Sequence, residues 1–218
     1  MKPWIELARE RPPGSGELSL HQRDRELVIR VDGQELMSTR SAGSEEALAT
    51  IGCAGHGAGR VLIGGLGLGF TLRAALAALG PAAQVTVAEI SPLLVEWNRT
   101  VVGPAAAAAL ADPRVTVHVG DVAAAMPPGA WDAILLDVDN SPHALTRPAN
   151  AGLYAGPGLA RAHAALRPGG RLAVWSAAPY PAFERRLATA GFAVTLHTVR
   201  ARGTHGGAKH TIFVGDRT

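Results

Sequence analysis

The chain has 218 residues, 47% of them hydrophobic and 18% charged, which is enough apolar material for a packed core and excludes a disordered chain. The formal charge is only +3, and the arginines are interspersed with carboxylates along the chain, so neither a nucleic-acid partner nor a membrane surface is indicated. A single cysteine, Cys53, excludes an internal disulfide and fits a reducing, cytoplasmic setting; apolar runs are broken by Gly, Thr and Arg, so neither a transmembrane helix nor a signal peptide is expected.

Residues 17–21 and 26–31 read as strands, the second alternating apolar and polar before an Asp32-Gly33 turn, and residues 34–38 return from that turn. This predicts a small antiparallel β-ribbon over 1–43, too small to stand alone. Residues 44–51 read as a short helix capped by Ser44, with Glu45 and Glu46 at the positive end of its dipole. From Arg60 onward strands alternate with helices. Strands are expected at 61–63, 85–89, 115–119, 133–136 and 171–176, with helices at 70–79, 92–101, 122–126, 153–166 and 181–190 between or after them. The alanine run 105–109 is read as helix, and strands at 193–199 and 210–214 as a hairpin added to the sheet edge. The alternation predicts an α/β fold over 44–218, a Rossmann-like sheet of parallel strands with right-handed crossovers.

In such a sheet, ligands bind beyond the carboxyl ends of the strands. Gly65, Gly67 and Gly69, with Leu68 among them, follow the first of these strands and allow close backbone approach to a ligand. Glu89 ends the second strand, twenty residues beyond Gly69, where a carboxylate accepts hydrogen bonds from ribose hydroxyls. Asp121, followed by Val122, closes the third strand at the expected adenine position, or else caps the helix after it. Asp137 ends the fourth. Three strand-end carboxylates in this order point to S-adenosylmethionine rather than a dinucleotide.

Taken with the ribbon, the segments "LVIRVDGQELMS", "SEEALA", "VLIGGLGLGFTLR", "VAEIS", "VGDV", "WDAILLDVDNSP", "LY" and "LRPGGRLAVWS" resemble the spermidine synthase family, a branch of the class I methyltransferase fold with a small N-terminal β-domain. The resemblance implies an adenosyl cofactor and a catalytic acid at Asp137. It also shows departures. The Asp that the family uses in the glycine loop for the cofactor's terminal amine is Leu68 here, the Tyr-His-Glu segment of the helix before the fold becomes "SEEA", and the Asp-Ser-Ser-Asp-Pro loop becomes "DVDNSP". Because a leucine offers nothing to an ammonium, the sequence favours methyl transfer from S-adenosylmethionine to a small-molecule nucleophile. The alternative is a divergent polyamine aminopropyltransferase using decarboxylated S-adenosylmethionine, with Glu45, Glu46 or Asp139 replacing the missing amine ligands. A non-catalytic adenosyl-ligand-binding or structural protein is the third reading.

Transfer next to a sulfonium needs chiefly a positioned, deprotonated nucleophile. Asp137 is the leading proton acceptor, Asp139 the second, and His143 in the same loop has an ordinary pKa suited to proton transfer. Asn140 reads as an Asx turn before Pro142, Tyr154 as packing, and Trp175 as a pocket wall. The eight histidines show no metal-ligand spacing, so no metal is expected. A small-molecule substrate is the expected partner, and the apolar edges of the ribbon are compatible with a homodimer.

Overall fold

The computed structural model describes residues 2–11, 16–138 and 152–218. Four strands, β1 (Ile5–Glu10), β2 (Leu18–Arg23), β3 (Glu26–Val31) and β4 (Gln34–Ser38), form an antiparallel sheet in that order. Asp32 and Gly33 both have positive φ, 49° and 80°, the pairing that a tight hairpin turn of the primed type requires. β1 has no counterpart in the sequence reading. It is an edge strand whose charged residues pair with one another and with β2's approach, Arg9 with Glu6 and Glu17, so no apolar alternation marks it.

Helix α1 (Gly43–Cys53) follows, but Ser44 does not cap it. The helix starts two residues earlier than the cap reading requires: Ala42 is the N-cap, and the Gly43 N–H donates to the Ala201 carbonyl (2.9 Å). The Ser44 hydroxyl is thereby left for other partners.

The second sheet contains β5 (Arg60–Gly64), β6 (Gln84–Glu89), β7 (Val115–Val119), β8 (Trp131–Leu136), β9 (Leu166–Ser176), β10 (Phe192–Arg200) and β11 (Lys209–Arg217), in the order β10-β11-β9-β8-β5-β6-β7. All run parallel except β11, which lies antiparallel between β9 and β10. The terminal hairpin therefore extends the edge formed by β9, as expected. β9 begins before the Pro168-Gly169-Gly170 turn, because Leu166 already pairs with Trp131 ahead of a register shift. The helices are α2 (Phe70–Ala78), α3 (Pro92–Thr100), α4 (Pro104–Leu110), α5 (Gly156–Ala165) and α6 (Pro181–Thr189), and residues 122–125 form a 3-10 turn rather than an α-helix.

Apolar residues of alternate parity along the strands feed two cores. Ile63, Val87, Leu135, Ala173 and Ile212 pack under α1 and α2, whereas Leu62, Ala88, Ile134, Leu136 and Phe213 pack under α5 and α6. A third core joins Leu18, Leu20 and Ile29 of the antiparallel sheet to Leu68, Phe70, Leu94 and Trp97. The direction of chain crossover reverses between β5 and β8, so the crevice beyond their carboxyl ends is where a ligand fits such a sheet. No helix among the described residues is long and apolar enough to cross a membrane.

Candidate active site

β5 delivers the chain into the glycine loop, and the loop is shaped by protein contacts as well as by space for a ligand. Gly65 has φ 91°, and a Cβ there would collide with the Asp137 carbonyl oxygen. This glycine lets the β5 loop pass against the end of β8. Gly67, at φ 50°, lies beneath Met37 of β4, whose sulfur a Cβ would meet, and the Leu68 N–H points to the same sulfur (3.2 Å). Gly69, in the left-handed region, is the N-cap of α2. Asn98 of α3 donates its amide to the Gly67 carbonyl (2.8 Å), tying the loop from below.

Leu68 has its side chain 1% exposed within the core that joins the two sheets. It therefore presents only backbone to a cofactor.

Next to the loop, Glu89 is buried, and both of its oxygens are held: Oε2 accepts from the Leu66 N–H (2.9 Å) and Oε1 from the Ser91 N–H (2.8 Å). Its orientation at the end of β6 is thereby fixed. Asp121, beyond β7, is exposed and accepts from the Ala123 N–H (2.8 Å), so it does cap the 3-10 turn. Val122 is buried against Gly64. Ile90 and Val119, neighbours in sequence of these groups, are two of the large apolar side chains left exposed, as a site for a planar ring would leave them.

On the α1–α2 side of the same crevice stands a second polar group. Thr71, in the first turn of α2, donates to Asp137 Oδ2 (2.7 Å). Glu45, in the first turn of α1, is buried and carries a hydrogen bond from the Ser44 hydroxyl (2.7 Å). Ser44 Oγ in turn lies 2.9 Å from Nδ1 of His210 on β11, and the His210 ring meets Trp175 of β9 edge-on, 4.8 Å between centroids. Trp175 is buried with its Nε1 lacking a hydrogen-bond partner among the described residues.

Burial raises the Glu45 carboxyl above the usual carboxylate range, the Asp137 charge raises it further, and the Ser44 hydrogen bond opposes both. Burial likewise raises Asp137, against the opposing bond from Thr71. Burial holds His210 below the ordinary imidazole value. Two carboxyls that resist ionising together, in one crevice, will welcome a cation.

Of the residues expected from sequence, Gly65, Gly67, Gly69, Glu89, Asp121, Val122 and Asp137 lie around this crevice. Tyr154 is buried and packs edge-on to Phe183. Asp139, Asn140 and His143 lie outside the described residues. Sequence reasoning passed over Thr71, Ser44 as a site residue, Asn98, Met37 and His210. Thr71 had a local signal, a hydroxyl in the first turn after the glycine loop; His210 had none, because β11 carries it to α1 from the far end of the chain.

No family model matches the sequence. A polyamine aminopropyltransferase of Mycobacterium tuberculosis is 31% identical over 194 residues, which is 84% of this chain and 36% of that protein; the chain thus spans little more than a third of its relative's length. The spermidine synthase of Thermotoga maritima superposes with a TM-score of 0.79 over 98% of this chain and 73% of that one, at 18% identity. A probable spermidine synthase of Corynebacterium glutamicum gives 0.66 over 100% and 81%, at 17% identity.

Methyl transfer, the reading favoured on sequence, is contradicted by the likeness to a polyamine aminopropyltransferase. Leu68 misleads because it looks like a lost ammonium ligand, whereas its side chain belongs to the inter-sheet core and the carboxyls of the crevice come from α1 and β8. Strand order, the antiparallel sheet in front and the structural neighbours agree that the chain has a spermidine synthase-like fold, built on a sheet of the class I methyltransferase type.

Proposed function

We propose that this chain transfers an aminopropyl group from decarboxylated S-adenosylmethionine to a small amine. The observation that carries the proposal is the buried carboxyl pair, Glu45 and Asp137, beside the glycine loop; the curated relative, a polyamine aminopropyltransferase, supports it. Bound there, the decarboxylated cofactor supplies a carbon activated by a sulfonium together with its own leaving group. The glycine-loop backbone at Gly65, Gly67 and Gly69 passes along it, Glu89 accepts from the ribose hydroxyls, and Asp121 faces the adenine amine. Ile90 and Val119 offer apolar contact to the base.

Glu45 holds an ammonium group of the incoming amine, and Asp137, oriented by Thr71, takes the proton that frees the attacking nitrogen. The nitrogen lone pair forms the new C–N bond, the C–S bond breaks, and its electrons stay on sulfur as a neutral thioether. One proton is released for each ammonium consumed and secondary ammonium formed. We also propose the division at residue 43: β4 ends at Ser38, and α1 already packs under the seven-stranded sheet.

The test is incubation of the chain with decarboxylated S-adenosylmethionine and a panel of diamines, followed by mass spectrometry. Methylthioadenosine and an aminopropylated amine are expected in equal amounts, and Asp137→Asn is expected to slow turnover by about 10²–10⁴-fold. Failure to form an aminopropylated product from any diamine would contradict the proposal.

A further inference from the structure

We propose that Ser44 and His210 are positioning residues for Glu45: an imidazole–hydroxyl–carboxylate chain that favours the ionised form of Glu45 and fixes its direction, and so sets the affinity for the amine. The inference rests on the reading of Glu45 as the ammonium ligand, and it names residues of α1 and β11 that the transfer chemistry itself does not require.

With Glu45 ionised its oxygens only accept, and proton counting then sets the direction of the chain. Ser44 has one hydroxyl proton and gives it to Glu45 Oε2 (2.7 Å). Its oxygen therefore accepts across the 2.9 Å contact, so Nδ1 of His210 carries a proton and donates. Each link polarises the next toward a negative Glu45. Without that support, burial and the Asp137 charge both drive Glu45 toward its neutral form, which attracts a cation poorly.

The surroundings are built for the arrangement. Ser44 is fully buried, and its hydroxyl is released from capping because Ala42 begins the helix and the Ala201 carbonyl receives the Gly43 N–H. A Cβ on Gly43 would collide with the backbone of Gly203, so the turn before β11 sits directly against the start of α1. Trp175 sets the plane of the His210 ring, and the Val199–His210 pairing fixes its backbone. The other charged or titratable groups on the elements packed here are Glu46 and Cys53 of α1, Asp137 after β8, Lys209 of β11, His197 and Arg200 of β10, and Arg202 and His205 of the turn; Arg171 and Asp216 pair with each other toward the opposite end of β9 and β11, where Arg167 and Arg217 also lie. Burial alone lowers His210, so its neutral form persists near neutrality.

Nitrogen-15 spectra of histidine-labelled native protein should show His210 protonated at Nδ1. In His210→Ala, the amine KM should rise about tenfold, the loss expected for a bond supporting a charged group, with kcat within about twofold. The acid limb of kcat/KM for the amine should move to higher pH, because Glu45 then ionises later. His210→Asn, whose amide donates from nearly the position of Nδ1, should restore both, and Ser44→Ala should match His210→Ala. An unchanged amine KM in His210→Ala, an Asn variant no better than Ala, or a native His210 unprotonated at Nδ1 would each overturn the proposal. Should the native protein turn over no amine, the proposed reaction fails by itself. The chain is then tested by carbon-13 titration of Glu45, which supports it if the carboxyl ionises at higher pH in His210→Ala than in native protein and overturns it if the two agree.

Discussion

Glu45 and Asp137 are held in opposition to their own charge. Each carboxyl is raised by burial, and Glu45 also by its neighbour, so the empty folded protein binds protons that the unfolded chain has already released. A group with a raised folded value contributes its full stability below the unfolded pKa and loses it as pH rises through the folded one. Thermal unfolding of the native protein is therefore expected to show a stability component that declines between about pH 4 and neutrality, and Glu45→Gln should flatten that decline. A bound cationic amine reverses the sign, favouring the ionised pair, so amine binding should release protons and strengthen as pH rises. A steeper decline in Glu45→Gln than in native protein would contradict this view of the pair. In the same variant the amine KM is expected to rise about tenfold to a hundredfold, as for loss of a charged hydrogen-bonding partner.

The glycine loop shows how one element serves two masters. Its backbone faces the crevice while Leu68 faces Leu18, Leu20 and Ile29 of the antiparallel sheet, and Met37 of β4 covers Gly67. Replacing Leu68 by Asp, which on sequence alone looks like a restoration of the family's ammonium ligand, should instead bury a carboxylate without a partner and destabilise the fold by about 3–5 kcal/mol. Chemical denaturation measures this; an Asp variant of native stability that binds the decarboxylated cofactor more tightly would show the side chain reaching the crevice. Elements marked by apolar periodicity were legible from sequence, among them β5 to β8, helices α2 and α3 and the terminal hairpin, whereas residues 122–125 form a 3-10 turn in place of the expected helix. β1 was not, since an edge strand with Arg9 between Glu6 and Glu17 carries its information in charge pairs. Ser44 read as a cap for a sound local reason, but the Ala201 carbonyl and His210 compete for the start of α1, and tertiary contacts win.

At the scale of the whole molecule, the site is a meeting of chain segments. The strand-end placement of Glu89, Asp121 and Asp137 was legible because each stands at or just beyond the carboxyl end of a strand, and the parallel sheet places all strand ends on one rim. The Thr71–Asp137 contact spans 66 residues and the Ser44–His210 contact 166. Neither leaves a trace in local spacing, which is why the crevice's second half emerged only from the fold. In the proposed reading the same topology lets a leucine stand in the glycine loop, because carboxyls face the crevice from α1 and from the end of β8. The most direct test is calorimetric binding of decarboxylated S-adenosylmethionine against S-adenosylmethionine itself, since the extra carboxylate of the latter would meet Glu45 and Asp137 as a like charge. The decarboxylated form is expected to bind at least about tenfold more tightly, with Glu45→Gln narrowing the gap; equal binding, or a preference for S-adenosylmethionine, would contradict the account.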